Sequence, residues 1–104
     1  DCVQQGKITL EKVVETMCHN PAILFDIEHR GYIREGYFAD LVLVDTNQSQ
    51  TVTRDNVLYK CGWSPLEGTT LKGTVTHTII NGEILYNQGV FASTAKAKQL
   101  TFVR

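Results

Sequence analysis

Apolar residues recur along this chain with two different periods, and the change falls near residue 30. Leu10, Val13, Val14, Met17 and Cys18 stand at i, i+3, i+4, i+7 and i+8, a continuous stripe down one face of an α-helix. Thr9 is placed to cap that helix, with Ile8 and Val13 forming a hydrophobic staple across its first turn. Pro21 restricts the residue before it, so the spacing predicts a stop at Asn20. Asn20 then caps a second short helix with Pro21 at its first position and Ile23, Leu24 and Phe25 packed inward.

From Arg30 onward the pattern is that of strands. Gly31-Tyr32-Ile33 leads into a turn at Glu35-Gly36. Leu41-Val42-Leu43-Val44, bracketed by Asp40 and Asp45, predicts a strand buried on both faces, since a half-exposed strand would alternate. Residues 46–50 read as a polar loop and Thr51-Val52-Thr53 as a short strand. The segment 54–73, with Gly62, Pro65, Gly68 and Gly73, reads as mostly irregular. Thr74 to Tyr86 is the clearest hairpin, because Asn81-Gly82 suits a type I′ turn in which both residues take positive φ. A two-residue loop pairs Ile80 with Glu83, Ile79 with Ile84 and His77 with Tyr86. That register gathers Val75, His77, Ile79, Ile84 and Tyr86 on the core side. Val90-Phe91 is one more extended piece, followed by a tail of low definition.

Composition narrows the classes of function. With 104 residues there is room for one small domain. Ten basic and eleven acidic residues give a net charge of −1 without any charged block, which offers no footprint for nucleic acid or an anionic membrane. The longest apolar run is four residues, against the roughly 20 that a spanning helix needs. The opening Asp1-Cys2-Val3-Gln4-Gln5-Gly6 lacks an initiator Met, a basic start and an apolar h-region. It reads as an internal cut in a larger polypeptide. Cys2, Cys18 and Cys61 are odd in number and widely spaced, a pattern that fits reduced cytoplasmic thiols rather than a disulfide framework or a zinc knuckle.

Each chemistry-bearing residue has an ordinary structural reading. His19, His29 and His77 show none of the H-x-H, H-x-x-x-H or H-E-x-x-H spacings of a zinc site. His19 sits where a helix C-terminus favours positive charge, His29 in an exposed turn, and His77 on a strand at the edge of the core. Cys18 belongs to the helix stripe. Asp40 and Asp45 could do acid–base work as a pair, but five residues apart on a strand they point to opposite faces. Strand-end hydrogen bonding and turn initiation are their expected roles. No nucleophile elbow, phosphate loop or dinucleotide fingerprint is present. The chemistry of the residues therefore predicts no catalytic, cofactor-binding or metal-ligating residue in an α+β unit.

Three stretches carry a resemblance. Asn20-Pro21-Ala22 is followed by Arg30-Gly31-Tyr32-Ile33-Arg34-Glu35-Gly36-Tyr37-Phe38-Ala39-Asp40-Leu41-Val42-Leu43-Val44-Asp45. Together they resemble the C-terminal N-P-A … G-x-I-x-x-G-x-x-A-D-L-V-x-x-D signature of amidohydrolases. Ser64-Pro65-Leu66-Glu67-Gly68, Gly73-Thr74-Val75 and Asn81-Gly82-Glu83-Ile84-Leu85-Tyr86 are similar to the S-P-x-x-G … G-x-V … N-G-x-x-V-Y ending of dihydroorotases and allantoinases, with Leu85 in place of Val. Lys60-Cys61-Gly62-Trp63-Ser64-Pro65 looks like the dihydroorotase form of the loop.

The resemblance implies a C-terminal portion of a zinc-dependent cyclic amidohydrolase, acting on dihydroorotate in pyrimidine biosynthesis in the cytoplasm. Residues 1–27 would be the final helices of a (β/α) barrel, 28–91 part of a β-sandwich completed by N-terminal strands, and 92–104 a tail. The family's zinc ligands all precede such a segment, so the resemblance assigns none to this chain. Its partner would be the rest of the polypeptide, with self-association through an open sheet edge as a further expectation. Allantoinase, dihydropyrimidinase or a stand-alone β-rich binding module are the alternatives.

Overall fold

The computed structural model describes residues 1–93 and 97–103. Thr9 caps the first helix as expected: its side-chain oxygen accepts from the Lys12 amide at 3.2 Å. The helix does not stop at Asn20. An α-helical segment, α1 (Leu10–Val14), passes into a wide π-type turn (Glu15–His19) and on into α2 (Asn20–Leu24) without a break. Asn20 has helical dihedrals, and its amide donates to the Glu15 carbonyl five residues back. Pro21 has no amide hydrogen and its ring crowds the carbonyl four residues earlier. The widened turn gives the ring room, and the helix runs through.

The run ends instead in a Schellman motif. Asp26 takes positive φ (51°). The Ile27 amide donates to the Ala22 carbonyl at 2.9 Å and the Asp26 amide to the Ile23 carbonyl at 3.3 Å. Ile23, Leu24 and Phe25, expected to pack inward, are exposed, with Leu24 at 74%. Most of the stripe is exposed as well, Met17 at 72%. Ala22 is the one apolar residue among those described that is buried, at 7% exposure.

Residues 31–33 form no strand. The sheet is a four-stranded antiparallel meander in the order β1 (Leu41–Thr51), β2 (Thr70–Ile80), β3 (Glu83–Asn87), β4 (Val90–Phe91). β1 has no neighbour on its outer edge among the described residues, and Val42, Leu43 and Val44 are half exposed rather than buried on both faces. The segment 46–50, expected as a loop, lies within β1. Opposite it the register slips, since Asp45 faces Thr74 and Ser49 faces Lys72. The extra residues form a bulge, held by the Asn47 amide on Asp45 Oδ1 (2.8 Å) and by the Thr74 hydroxyl on the Gln48 carbonyl (2.9 Å). Of Thr51-Val52-Thr53, only Thr51 is in a strand, and residues 70–73 belong to β2 rather than to the irregular segment before it.

The hairpin turn is as expected, with φ of 50° at Asn81 and 80° at Gly82. Ile80 faces Glu83 and Ile79 faces Ile84. Beyond them Leu85 is an extra residue, so Tyr86 faces Thr78 and His77 faces Asn87, not Tyr86. A second slip makes Thr76 the extra residue between His77, opposite Leu43, and Val75, opposite Val44. Directly opposed residues share a face. His77, Ile79 and Ile84 therefore lie with Leu41 and Leu43, while Tyr86 and Val75 move to the other side.

Residues 97–103 of the tail are better organised than its composition suggests, while 94–96 and 104 lie outside the described residues. Phe102 pairs with Ile27, the Glu28 amide donates to the Thr101 carbonyl, and the Val103 amide donates to the Asp26 carbonyl, both at 2.9 Å.

Candidate functional site

A set of polar and aromatic side chains gathers where the helical run hands over to the sheet. Gly31 lies hard against the helix: a Cβ there would stand 2.5 Å from Ala22 Cβ and 2.7 Å from the Cys18 carbonyl oxygen. This close approach places the residues on either side of it. Arg30 Nε donates to Asp40 Oδ2 at 2.7 Å, and Nη2 donates to the Lys98 carbonyl at 3.1 Å. Its guanidinium lies 4.2 Å from the Phe38 ring centroid. The other oxygen of Asp40 accepts from the Asn81 amide at 2.7 Å. These hydrogen bonds, Arg30's first, hold the Asp40 carboxyl below the ordinary carboxylate pKa. One carboxylate thus ties the end of the helical run to the hairpin turn, aided by the Gly82 amide on the Ala39 carbonyl (3.0 Å).

Beside it, His19 stacks on Tyr32 with centroids 4.2 Å apart, Arg34 lies 4.2 Å from the same ring, and His29 meets Tyr37 edge-on at 5.6 Å. His77 is elsewhere, on β2, with Nδ1 3.0 Å from the Thr76 hydroxyl. The histidines are thus occupied by aromatic and hydroxyl neighbours. Cys2, Cys18 and Cys61 are free and exposed. Asp45, expected at a strand end, instead accepts from the Asn47 amide at the bulge inside β1. Among the described residues no group of three or more His, Cys, Asp or Glu could hold a metal ion. These residues do not fit the zinc that the resemblance implies for the whole enzyme.

A shallow groove of about 420 Å³ on the sheet is lined by neutral groups, chiefly Gln48, Gln50, Thr74, Thr76, Tyr86 and Gln88. It holds no carboxylate, imidazole or thiol to act as base or nucleophile. Sequence reasoning attached no role to Arg30, Phe38 or Lys98. Arg30 and Asp40 are ten residues apart across an irregular segment, and Lys98 is 68 residues from Arg30. No periodic pattern connects such positions.

A helix carried past a proline into an Arg–Asp clip, followed by a four-stranded antiparallel meander, defines a small α+β unit. The amidohydrolase family model matches residues 2–85, and the chain belongs to that family. It is 42% identical over 88 residues to a dihydroorotase of Pyrococcus furiosus, covering 85% of this chain and 21% of the relative. It is 34% identical over 103 residues to a D-phenylhydantoinase of Escherichia coli O1:K1, covering 98% of this chain and 22% of the relative. Among solved structures it is similar to the L-hydantoinase (dihydropyrimidinase) of Arthrobacter aurescens, with a TM-score of 0.75 and 30% identity over 86% of this chain and 20% of that one. The chain spans about a fifth of the length of the relatives it matches.

Proposed function

We propose that this chain is the C-terminal structural portion of a dihydroorotase, whose whole polypeptide reversibly hydrolyses the cyclic amide of dihydroorotate in the cytoplasm. In this reading residues 1–27 close the catalytic barrel, residues 28–91 form part of a composite β-sandwich, and residues 92–104 are the tail that returns to the joint. The chain supplies scaffold: it contributes no catalytic residue and no zinc ligand, and the enzyme's zinc is held by the rest of the polypeptide. The observation that carries the reading is the 42% identity to a dihydroorotase over a fifth of that relative's length. The uncovered apolar surface supports it, because the exposed stripe of Leu10, Val14 and Met17 and the free edge of β1 are surfaces that a larger body would cover.

The test is to produce the whole polypeptide with and without residues 1–104 and assay hydrolysis of dihydroorotate. Activity that needs this portion, from a zinc content that the isolated chain does not share, is the expected result. One tightly held zinc per isolated chain after dialysis would overturn the scaffold reading. The second reading is a hydantoinase or dihydropyrimidinase, favoured by a D-phenylhydantoinase match that extends over 98% of the chain. Hydrolysis of a hydantoin or dihydropyrimidine in preference to dihydroorotate would select it.

A further inference from the structure

Among the described residues, no strand of the sheet comes within 8 Å, Cα to Cα, of the helical run. The two parts are joined by the segment 25–40 and by the tail that crosses back over it. Among the described residues, 97–103 attach there through main-chain hydrogen bonds and the Lys98 ammonium, 5.5 Å from the Phe38 ring centroid. Thr101 accepts from the Glu28 amide, the Val103 amide donates to Asp26, and the Lys98 carbonyl accepts from Arg30. Residues 97–103 are exposed along their length, whereas most of β2 is half-buried. The Arg30 side chain that holds Lys98 is only 12% exposed, and its Nη1 is enclosed without an acceptor among the described residues. An enclosed, unpaired donor on a charged group is a standing cost of the closed arrangement.

We propose that residues 97–103 are a releasable strap across the helix–sheet joint, and that the strap lifts while the sheet stays intact. Regions with few buried apolar contacts and exposed main-chain hydrogen bonds open before the rest of a fold. β2, by contrast, is paired along both edges. Release frees Arg30 from Lys98 and unpairs residues 26–28, loosening the connection between the two parts. The proposal stands on the joint itself and does not depend on which cyclic amide the whole enzyme hydrolyses.

Hydrogen–deuterium exchange of the whole polypeptide, read on peptides covering 25–31, 98–103 and 74–87, tests it. The first two should exchange together and at least about ten-fold faster than the third, a gap of roughly 1.4 kcal/mol in opening free energy. Val103→Pro deletes the amide that bonds to Asp26 while leaving the chain continuous. It should speed exchange at 25–31 about five- to ten-fold, the equivalent of one lost hydrogen bond, with 74–87 unchanged. Equal protection of all three regions in the unaltered protein would overturn the proposal. So would a Val103→Pro variant in which all three accelerate alike, since the tail would then be an integral part of one cooperative unit.

Discussion

Arg30 and Asp40 meet through a 2.7 Å hydrogen bond between Nε and Oδ2, ten residues apart in sequence and both within the connection between helix and sheet. Surface ion pairs contribute little in general. This one differs because Arg30 is largely enclosed and both partners have further bonds, Arg30 to the Lys98 carbonyl and Asp40 to the Asn81 amide. The pair therefore positions the hairpin turn relative to the helix end.

Arg30→Ala should destabilise the protein by about 2–3 kcal/mol, the scale of a charge-assisted hydrogen bond lost from a partly buried site. Arg30→Lys should recover less than half of that, because an ammonium cannot reproduce the planar fork that reaches Asp40 and Lys98 together. Urea midpoints of the two variants check this. Equal stability of the lysine variant and the unaltered protein would show that charge alone matters here.

The same pair makes stability depend on pH. Asp40 has a lowered pKa in the folded state, first through Arg30 and then through the Asn81 amide. Its contribution is fully present above the unfolded value of about 3.9 and is lost as pH falls through the lower, folded value. The stability difference between the unaltered protein and Asp40→Asn should be constant above about pH 5 and shrink below about pH 4. A difference that widens on acidification would reverse the sign and remove Asp40 from this role.

Gly31 and Gly36 separate backbone strain from crowding. Both have positive φ, 83° and 82°, so Ala at either position carries the left-handed penalty of roughly 1–2 kcal/mol. Nothing lies within 4 Å of a Cβ at Gly36, whereas at Gly31 it would overlap Ala22 and the Cys18 carbonyl. Gly31→Ala should therefore cost about 2 kcal/mol more than Gly36→Ala, the middle of the range for overpacking. Thermal unfolding of the two variants measures the gap, and equal losses would mean that the helix end shifts freely.

In isolation the chain should be marginally stable or self-associating. Fully burying one large apolar side chain is worth roughly 1.5–3 kcal/mol, and a domain's net stability is only about 5–15 kcal/mol. Here Met17, Leu24, Phe25, Leu43 and Val44, among others, lie uncovered, and β1 has an open edge among the described residues. Sedimentation and urea denaturation decide. A monomer with a cooperative transition near about 10 kcal/mol would favour the stand-alone binding module instead.

Much of the local structure was legible in the residues. Thr9 caps its helix because a short side chain can reach the free amide at Lys12, and Asn81-Gly82 turns because these residues tolerate positive φ. Asp40 bonds at the start of β1 as its chemistry suggests, whereas Asp45 bonds at a bulge inside that strand rather than at its end. The family, too, was carried by short motifs. Continuity through Pro21 was not legible, since a widened turn depends on how successive carbonyls are displaced and leaves no period of its own. Nor were the bulges at Leu85 and Thr76, which moved Tyr86 and Val75 to the other face; one unpaired residue reverses a period-two pattern, and only the neighbouring strand shows which residue it is. The joint itself was decided in three dimensions. Arg30 and Asp40 of the connecting segment, Asn81 of the hairpin turn and Lys98 of the tail converge from three separate segments, and a contact between residues far apart in sequence exists only once the chain between them has folded.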